Sequence, residues 1–387
     1  MNLLDLLLVT MAISAAVVGY QLGLVARLIS WLGFTGGLAV GVLVLPRLIE
    51  RLEDASQPSK VLVAVATLLG AALIGQGLAL TVGSKLHIEV PEGPARHVDK
   101  AGGAVAGIFG VLVPLWLLVP VLSAQRGWLA EQTYGSAITR EVHDLFPEPP
   151  DTMTALRRIV GDEVFPLVFG GLQRAPDLGP PPAASGLTEE VADRVVTSTV
   201  KVTGVACQRV QEGSGFVAEP GLVVTNAHVV AGEDETEVEL ADGSVRDATV
   251  VAYDPGRDVA VLRVDDLTAP PLPLRDAEIG DVGGVFGHPG GGPLEVSPFQ
   301  VAEEIRAVGR DVYDRQRSER QVLVLAADLA PGDSGAALVD PQGQVVGLAF
   351  AVAPDKGGVA YALALEEVRD VLAGDLSSRV GTGDCLV

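Results

Sequence analysis

The chain has 387 residues, with 27 Lys+Arg against 49 Asp+Glu and a formal charge of −22; it is 48% hydrophobic yet only 4% aromatic. That length predicts two or more domains, and so acidic a balance excludes nucleic acid as a partner. The charge is unevenly shared: residues 1–122 hold seven basic and seven acidic residues, so the whole surplus lies downstream.

Four long apolar stretches come first: Leu3–Tyr20, Leu28–Leu45, Val61–Val82 and Ala101–Leu122. At a rise of ~1.5 Å per residue, each is long enough to cross a hydrocarbon core about 30 Å thick. The expectation is a four-helix membrane domain over 1–122, in contact with lipid. A cleaved leader is not expected, because the N-terminus carries Asp5 and no Lys or Arg, and further spans follow. Gly33, Gly37 and Gly41 recur every four residues, as do Gly103 and Gly107. Small residues at that spacing line one helix face and let backbones approach closely.

Residues 123–186 form the join. Ser123–Leu145 suits an interfacial helix, with Trp128 and Tyr134 at headgroup depth. Asp151–Val168 reads as a short helix. Ala175–Gly186 reads as a plain linker, stiff where Pro180, Pro181 and Pro182 cluster. The second folded domain is expected over 187–387.

Three motifs there carry chemistry: Val224-Thr225-Asn226-Ala227-His228, Arg257-Asp258-Val259-Ala260-Val261-Leu262, and Pro331-Gly332-Asp333-Ser334-Gly335. A serine hydroxyl needs a general base to take its proton, and the base needs an anion to fix its tautomer. His, Asp, Ser is the chain order of one such arrangement and not of its two convergent counterparts. The expected triad is therefore His228, Asp258 and Ser334. The N–H groups of Gly332 and Ser334 are expected to form an oxyanion hole. His288 and Asp254 are the rivals for base and anion, but both stand in turn sequences, Gly287-His288-Pro289-Gly290 and Asp254-Pro255-Gly256. Glu233–Glu239 reads as a solvated acidic loop. With no Cys-x-x-Cys and no clustered His, no metal is expected, and the chemistry calls for no cofactor.

Together with Gly213-Ser214-Gly215-Phe216, these motifs resemble the HtrA-like branch of the trypsin-like serine proteases over about residues 190–375. The resemblance implies an all-β fold of two six-stranded antiparallel barrels with the triad in the cleft between them. The chain departs from HtrA proteins in having no room for a PDZ domain, and in Ala336 where most members have a second Gly. By the same resemblance, Asp328, six residues before Ser334, falls at the base of the S1 pocket, where a carboxylate would favour Arg or Lys before the cut. The opening Asn2-Leu3-Leu4-Asp5-Leu6, with Gly19-Tyr20-Gln21-Leu22-Gly23-Leu24, resembles the colicin V production protein family of four-span domains. The two halves together resemble the membrane-anchored acid-resistance serine proteases of mycobacteria and other actinobacteria (MarP-type). That implies protein or peptide substrates in the cell envelope, peptidoglycan hydrolases among them, and a role in envelope stress or acid resistance.

Cys207 and Cys385 are the only cysteines, and both lie outside the apolar half. Such a pair predicts a disulfide, and disulfides persist outside the cytosol. The expected orientation is therefore a protease domain on the extracytoplasmic, periplasmic side. Two other readings stay open: a catalytically silent protease-fold binding module, and a transport or channel domain regulated by the protease. The complete His–Asp–Ser set speaks against the first. The second lacks buried ionisable groups, since Asp5 alone lies in a span.

Overall fold

A computed structural model describes residues 2–50, 57–85, 93–123, 128–146, 168, 174–206 and 209–386. The chain divides into two compact units, Met1–Asp162 and Glu163–Val387.

In the first unit the apolar runs form α1 (Leu3–Leu22), α2 (Leu24–Glu50), α3 (Gln57–Lys85) and α4 (Pro94–Ser123). The spaced glycines decide how they pair. A Cβ on Gly37 would lie 2.2 Å from the Ala71 carbonyl oxygen, and one on Gly33 2.4 Å from that of Gly75, so α2 and α3 meet backbone to backbone. On α4, a Cβ on Gly103 or Gly107 would meet the carbonyl oxygens of Gly19 (2.2 Å) and Ala15 (2.1 Å) on α1. Lipid offers no hydrophobic force between helices, so this close packing is what holds the pairs.

Four spans are expected, but among the described residues three helices are long and apolar enough to cross a bilayer: Leu3–Leu22, Leu24–Leu48 and Pro94–Val119. The expected span Val61–Val82 lies within α3, whose apolar stretch among the described residues is Ala66–Thr81. Gln76 within it donates to Ser30 Oγ on α2 (2.8 Å).

Asp5 has a structural explanation. It closes a reciprocal cap with Asn2 at the start of α1. Its carboxylate also accepts the Ser136 hydroxyl (2.6 Å) and the Ile138 N–H (3.1 Å). Ser136 caps α6 (Ala137–Leu145), which follows α5 (Trp128–Gly135). One buried carboxylate thus satisfies orphan N–H groups at two helix starts. The helix expected over Asp151–Val168 lies outside the described residues but for Val168.

The second unit opens with α7 (Glu189–Ser198), capped by the Thr188 hydroxyl. Then β1 (Thr199–Ala206), β2 (Arg209–Glu219), β3 (Leu222–Thr225), β4 (Thr236–Glu239), β5 (Val245–Asp254) and β6 (Val259–Val264) close an antiparallel barrel in the order β1-β2-β3-β6-β5-β4. A second closed barrel, β10-β11-β12-β9-β8-β7, is made by β7 (Val282–Gly287), β8 (Glu295–Arg310), β9 (Arg317–Ala327), β10 (Ala337–Val339), β11 (Val345–Val352) and β12 (Val359–Ala364). Valine dominates the strands because a β-branched side chain fits a pleated, buried surface. Each barrel has its own core, and a third cluster joins Phe216 and Val224 of the first to Phe286, Val339 and Phe350 of the second. Emptying such a site, as in Phe350→Ala, typically costs about 3–5 kcal/mol.

Two segments do more than their sequences announce. The supposed plain linker is packed down: Ala175, Leu178 and Leu187 lie against the shared core, while Lys356 pairs with Asp177 at 2.6 Å. After α8 (Leu365–Leu372) the tail runs back to the first barrel: Val380 N–H donates to Val250 C=O (2.9 Å) and Gly232 N–H to Thr382 C=O (3.0 Å). Under this tail lies Glu233, which corrects the reading of Glu233–Glu239 as a solvated run. It is 3% exposed. Thr236 Oγ1 (2.6 Å) and Gln211 Nε2 (3.3 Å) donate to its carboxylate, and burial pushes its pKa up to about 7. Cys385 lies against Gly232; Cys207, its expected partner, is outside the described residues.

Candidate active site

β3 ends at Thr225, and the chain tightens into a short 3-10 turn, Ala227–Val229, that presents His228. Asp258 stands just before β6 with φ of 62°, a left-handed conformation that Asp tolerates better than most residues. Its neighbour Arg257 braces the approach, with its N–H on Asp254 Oδ1 (2.8 Å) and its guanidinium on Glu367 (3.1 Å) and Asp370 (2.9 Å) of α8.

His228 and Asp258 meet through two groups. The Asp258 carboxylate, fully buried, lies 2.8 Å (Oδ2) and 3.0 Å (Oδ1) from His228 Nδ1. Its Oδ1 also accepts the His228 backbone N–H at 2.9 Å. A carboxylate can only accept, so Nδ1 carries the proton and Nε2 is left as the basic nitrogen. Asn226 Nδ2 holds the Asp258 carbonyl at 2.9 Å.

Ser334 lies in the turn between β9 and β10, 5% exposed. Its carbonyl accepts the Ser214 N–H of β2 at 2.7 Å, which ties the second barrel's loop to the first barrel. Gly213, beside Ser214, lies under both Val229 and the Ser334 carbonyl: a Cβ there would come within 2.6 Å and 3.1 Å of them. The His228 turn and the Ser334 turn therefore converge on one glycine. Gly335, with φ of +86°, has the Ser214 carbonyl 2.0 Å from where a Cβ would sit, so no side chain fits after the serine. Ala336 is different: it is fully buried in the second barrel's core.

Gly332 has φ of +97°. Among the described residues, neither its N–H nor that of Ser334 donates to a protein acceptor. Asp333, between them, accepts the Ala330 N–H at 2.8 Å and is 5% exposed; burial pushes its pKa up to about 6. Asp328 ends up exposed just beyond β9, with its carboxylate near Gly358 before β12. His288 and Asp254, the rival base and anion, sit away from the pair: His288 Nδ1 faces the Gly292 carbonyl (3.0 Å), and Asp254 holds Arg257.

The motifs do not single out Ser214, whose hydroxyl bonds the Ser334 loop. Two glycines flank it, which signals crowding and says nothing of the hydroxyl. Glu233 and Asp333 were missed because burial of a carboxylate is not written in local composition.

The Trypsin-like peptidase domain family matches residues 213–348, and the Colicin V production protein family matches residues 4–142. The chain is 33% identical to the serine protease Rv3671c of Mycobacterium tuberculosis over 399 aligned positions, 99% of this chain and 98% of that one. It is 34% identical to a probable periplasmic serine endoprotease, DegP-like, of Halomonas elongata, over 54% of this chain and 40% of that one. The crystal structure of the Rv3671c protease of M. tuberculosis in its active form is similar to it with a TM-score of 0.52 and 40% identity, covering 56% of this chain and 97% of that one.

Proposed function

The chain belongs to the family of the Mycobacterium tuberculosis serine protease Rv3671c, and from that premise we propose a membrane-anchored endopeptidase working outside the cytoplasmic membrane. It is a trypsin-like serine protease with apolar N-terminal helices. In the proposal α3 completes a four-span anchor over 1–122, and the protease domain is 187–387.

Ser334 Oγ attacks the scissile carbonyl. His228 Nε2 takes its proton and later returns it to the leaving amine, while Asp258 orients the ring and stabilises the imidazolium. The N–H groups of Gly332 and Ser334 receive the oxyanion. The observation that carries this reading is the buried Asp258 carboxylate, 2.8 Å from His228 Nδ1, in a turn packed on the same glycine as the Ser334 loop.

The extracytoplasmic side is supported by the two cysteines, both in the acidic half, proposed as a Cys207–Cys385 disulfide. The Halomonas relative's description as periplasmic agrees. We extend the proposal to acid stress, with cell-envelope proteins such as peptidoglycan hydrolases as substrates. The support is physical: Glu233 and Asp333 are buried carboxylates with raised pKa values, so acid neutralises them where they sit.

A membrane-impermeant fluorophosphonate added to intact cells tests both halves. It should label the wild type and leave a Ser334→Ala protein unlabelled. Labelling that needs cell lysis would place the protease inside, and labelling of the alanine variant would move the nucleophile elsewhere.

A further inference from the structure

The Gly332 N–H belongs to the 331–332 peptide, and that plane and the one after it are each held by a hydrogen bond from outside their own loop. The Pro331 carbonyl accepts the Gly290 N–H at 2.5 Å. A trans peptide points its N–H opposite to its C=O. Holding the Pro331 carbonyl on the β7–β8 turn therefore aims the Gly332 N–H away from that turn. The next plane is held by a side chain: Ser214 Oγ donates to the Gly332 carbonyl at 2.7 Å.

The same hydroxyl accepts the His288 N–H at 2.9 Å. His288 opens the turn that carries Gly290, so one fully buried hydroxyl joins both parts of the clamp. The turn has its own anchor, since Lys201 Nζ donates to the Gly291 carbonyl (2.6 Å) and pairs with Glu212 (2.8 Å). Gly332 completes the fit: a Cβ there would lie 2.2 Å from the His288 carbonyl oxygen, so only glycine lets loop and turn touch.

We propose that Ser214 is a positioning residue for the oxyanion hole: its hydroxyl, with the Gly290 N–H, locks the 331–332 and 332–333 peptides so that the Gly332 N–H faces the substrate carbonyl. This rests on the reading of Ser334 as nucleophile. Without the hydroxyl, the Gly332 carbonyl and the His288 N–H lose their shared partner inside the protein; the 332–333 peptide loses its outside hold, and the turn whose Gly290 N–H fixes the 331–332 peptide loses its tie to β2. A turned peptide would put a carbonyl where a donor is needed.

The test is Ser214→Ala in the full-length protein, read by steady-state kinetics and by affinity for a peptide boronate. The boronate forms a tetrahedral adduct on the serine; the cleaved peptide product does not. Losing one oxyanion donor outright typically costs about 100- to 1,000-fold in kcat. Loosening it should cost about 10- to 100-fold, with KM within about twofold. Boronate affinity should fall in step while product affinity holds. The limb of the pH profile set by His228 should not move, because the His228–Asp258 pair is untouched. If Ser214→Ala fails to fold, Ser214→Cys, of nearly the same shape but a weaker donor, carries the same comparison.

A kcat within about twofold of wild type, or a loss confined to KM or shared equally by product affinity, would overturn the proposal. The underlying reading is checked separately by Ser334→Ala. If that variant is dead while Ser214→Ala is fully active, this inference alone fails. If Ser334→Ala still turns over, the nucleophile assignment fails.

Discussion

The Thr382 hydroxyl donates to the backbone carbonyl of Glu233 at 2.8 Å across 149 residues of chain, and closes the tail over a buried carboxylate. Glu233 follows the His228 turn by only a few residues of chain. Its proton is held more tightly in the folded chain, with a pKa of about 7 against an ordinary 4.5. A raised carboxylate pKa means the folded state binds more protons than the unfolded one in that window. Stability from this site is therefore fully present below about pH 4.5 and is lost as pH rises through about 7, by roughly 3 kcal/mol at most.

Glu233→Gln removes that titration. The variant should melt above wild type at pH 8, where the buried carboxylate is ionised, and lose the advantage by pH 5. Melting curves of both proteins across that range give the difference directly. Parallel curves would show that Glu233 keeps an ordinary pKa.

The proposed Cys207–Cys385 bridge would close a loop of nearly 180 residues. The chain-entropy account assigns such a loop on the order of 5 kcal/mol. The tail already holds to the first barrel through Val380 and Thr382, and Tyr313 Oη of the β8–β9 turn donates to the Thr382 carbonyl at 3.0 Å. Cys207→Ser should therefore lower the melting temperature and leave turnover below the melt within about twofold. A matching loss of turnover at unchanged stability would make the bond regulatory. Two free thiols in the wild type by mass spectrometry would remove the bond altogether.

Asp328 carries the proposal on specificity. With its carboxylate near Gly358, it offers a negative charge by the loop before β12. Wild type should prefer Arg or Lys before the cut in a peptide library, and Asp328→Asn should lose most of that preference, about tenfold in kcat/KM, while keeping its turnover of neutral sites. A library profile with no basic preference would return Asp328 to the solvent.

What the sequence made legible follows from physics that acts locally or repeats. Glycine at every fourth position marks a helix face, and Gly37 and Gly103 do bring α2 to α3 and α4 to α1. His228 and Asp258 were readable because each stands at the edge of a valine-rich strand. The missed features depend on segments far apart in the chain. Nothing near Glu233 announces that Thr382 will cover it, and nothing near Ser214 announces the Gly332 carbonyl. Gln76 shows the same limit inside the apolar half, since its partner Ser30 lies on another helix.

The central claim is that Ser334 is the nucleophile, activated by the His228–Asp258 pair. The most direct measurement is pre-steady-state acylation of purified wild type and Ser334→Ala with a chromogenic ester, followed by turnover on a peptide. The account predicts a burst of one leaving group per active site in the wild type. It predicts no burst and a fall of at least about 10,000-fold in peptide turnover for the variant, whose melting temperature should stay near wild type. A variant that keeps its burst, or turns over peptide at near wild-type rate, would contradict it.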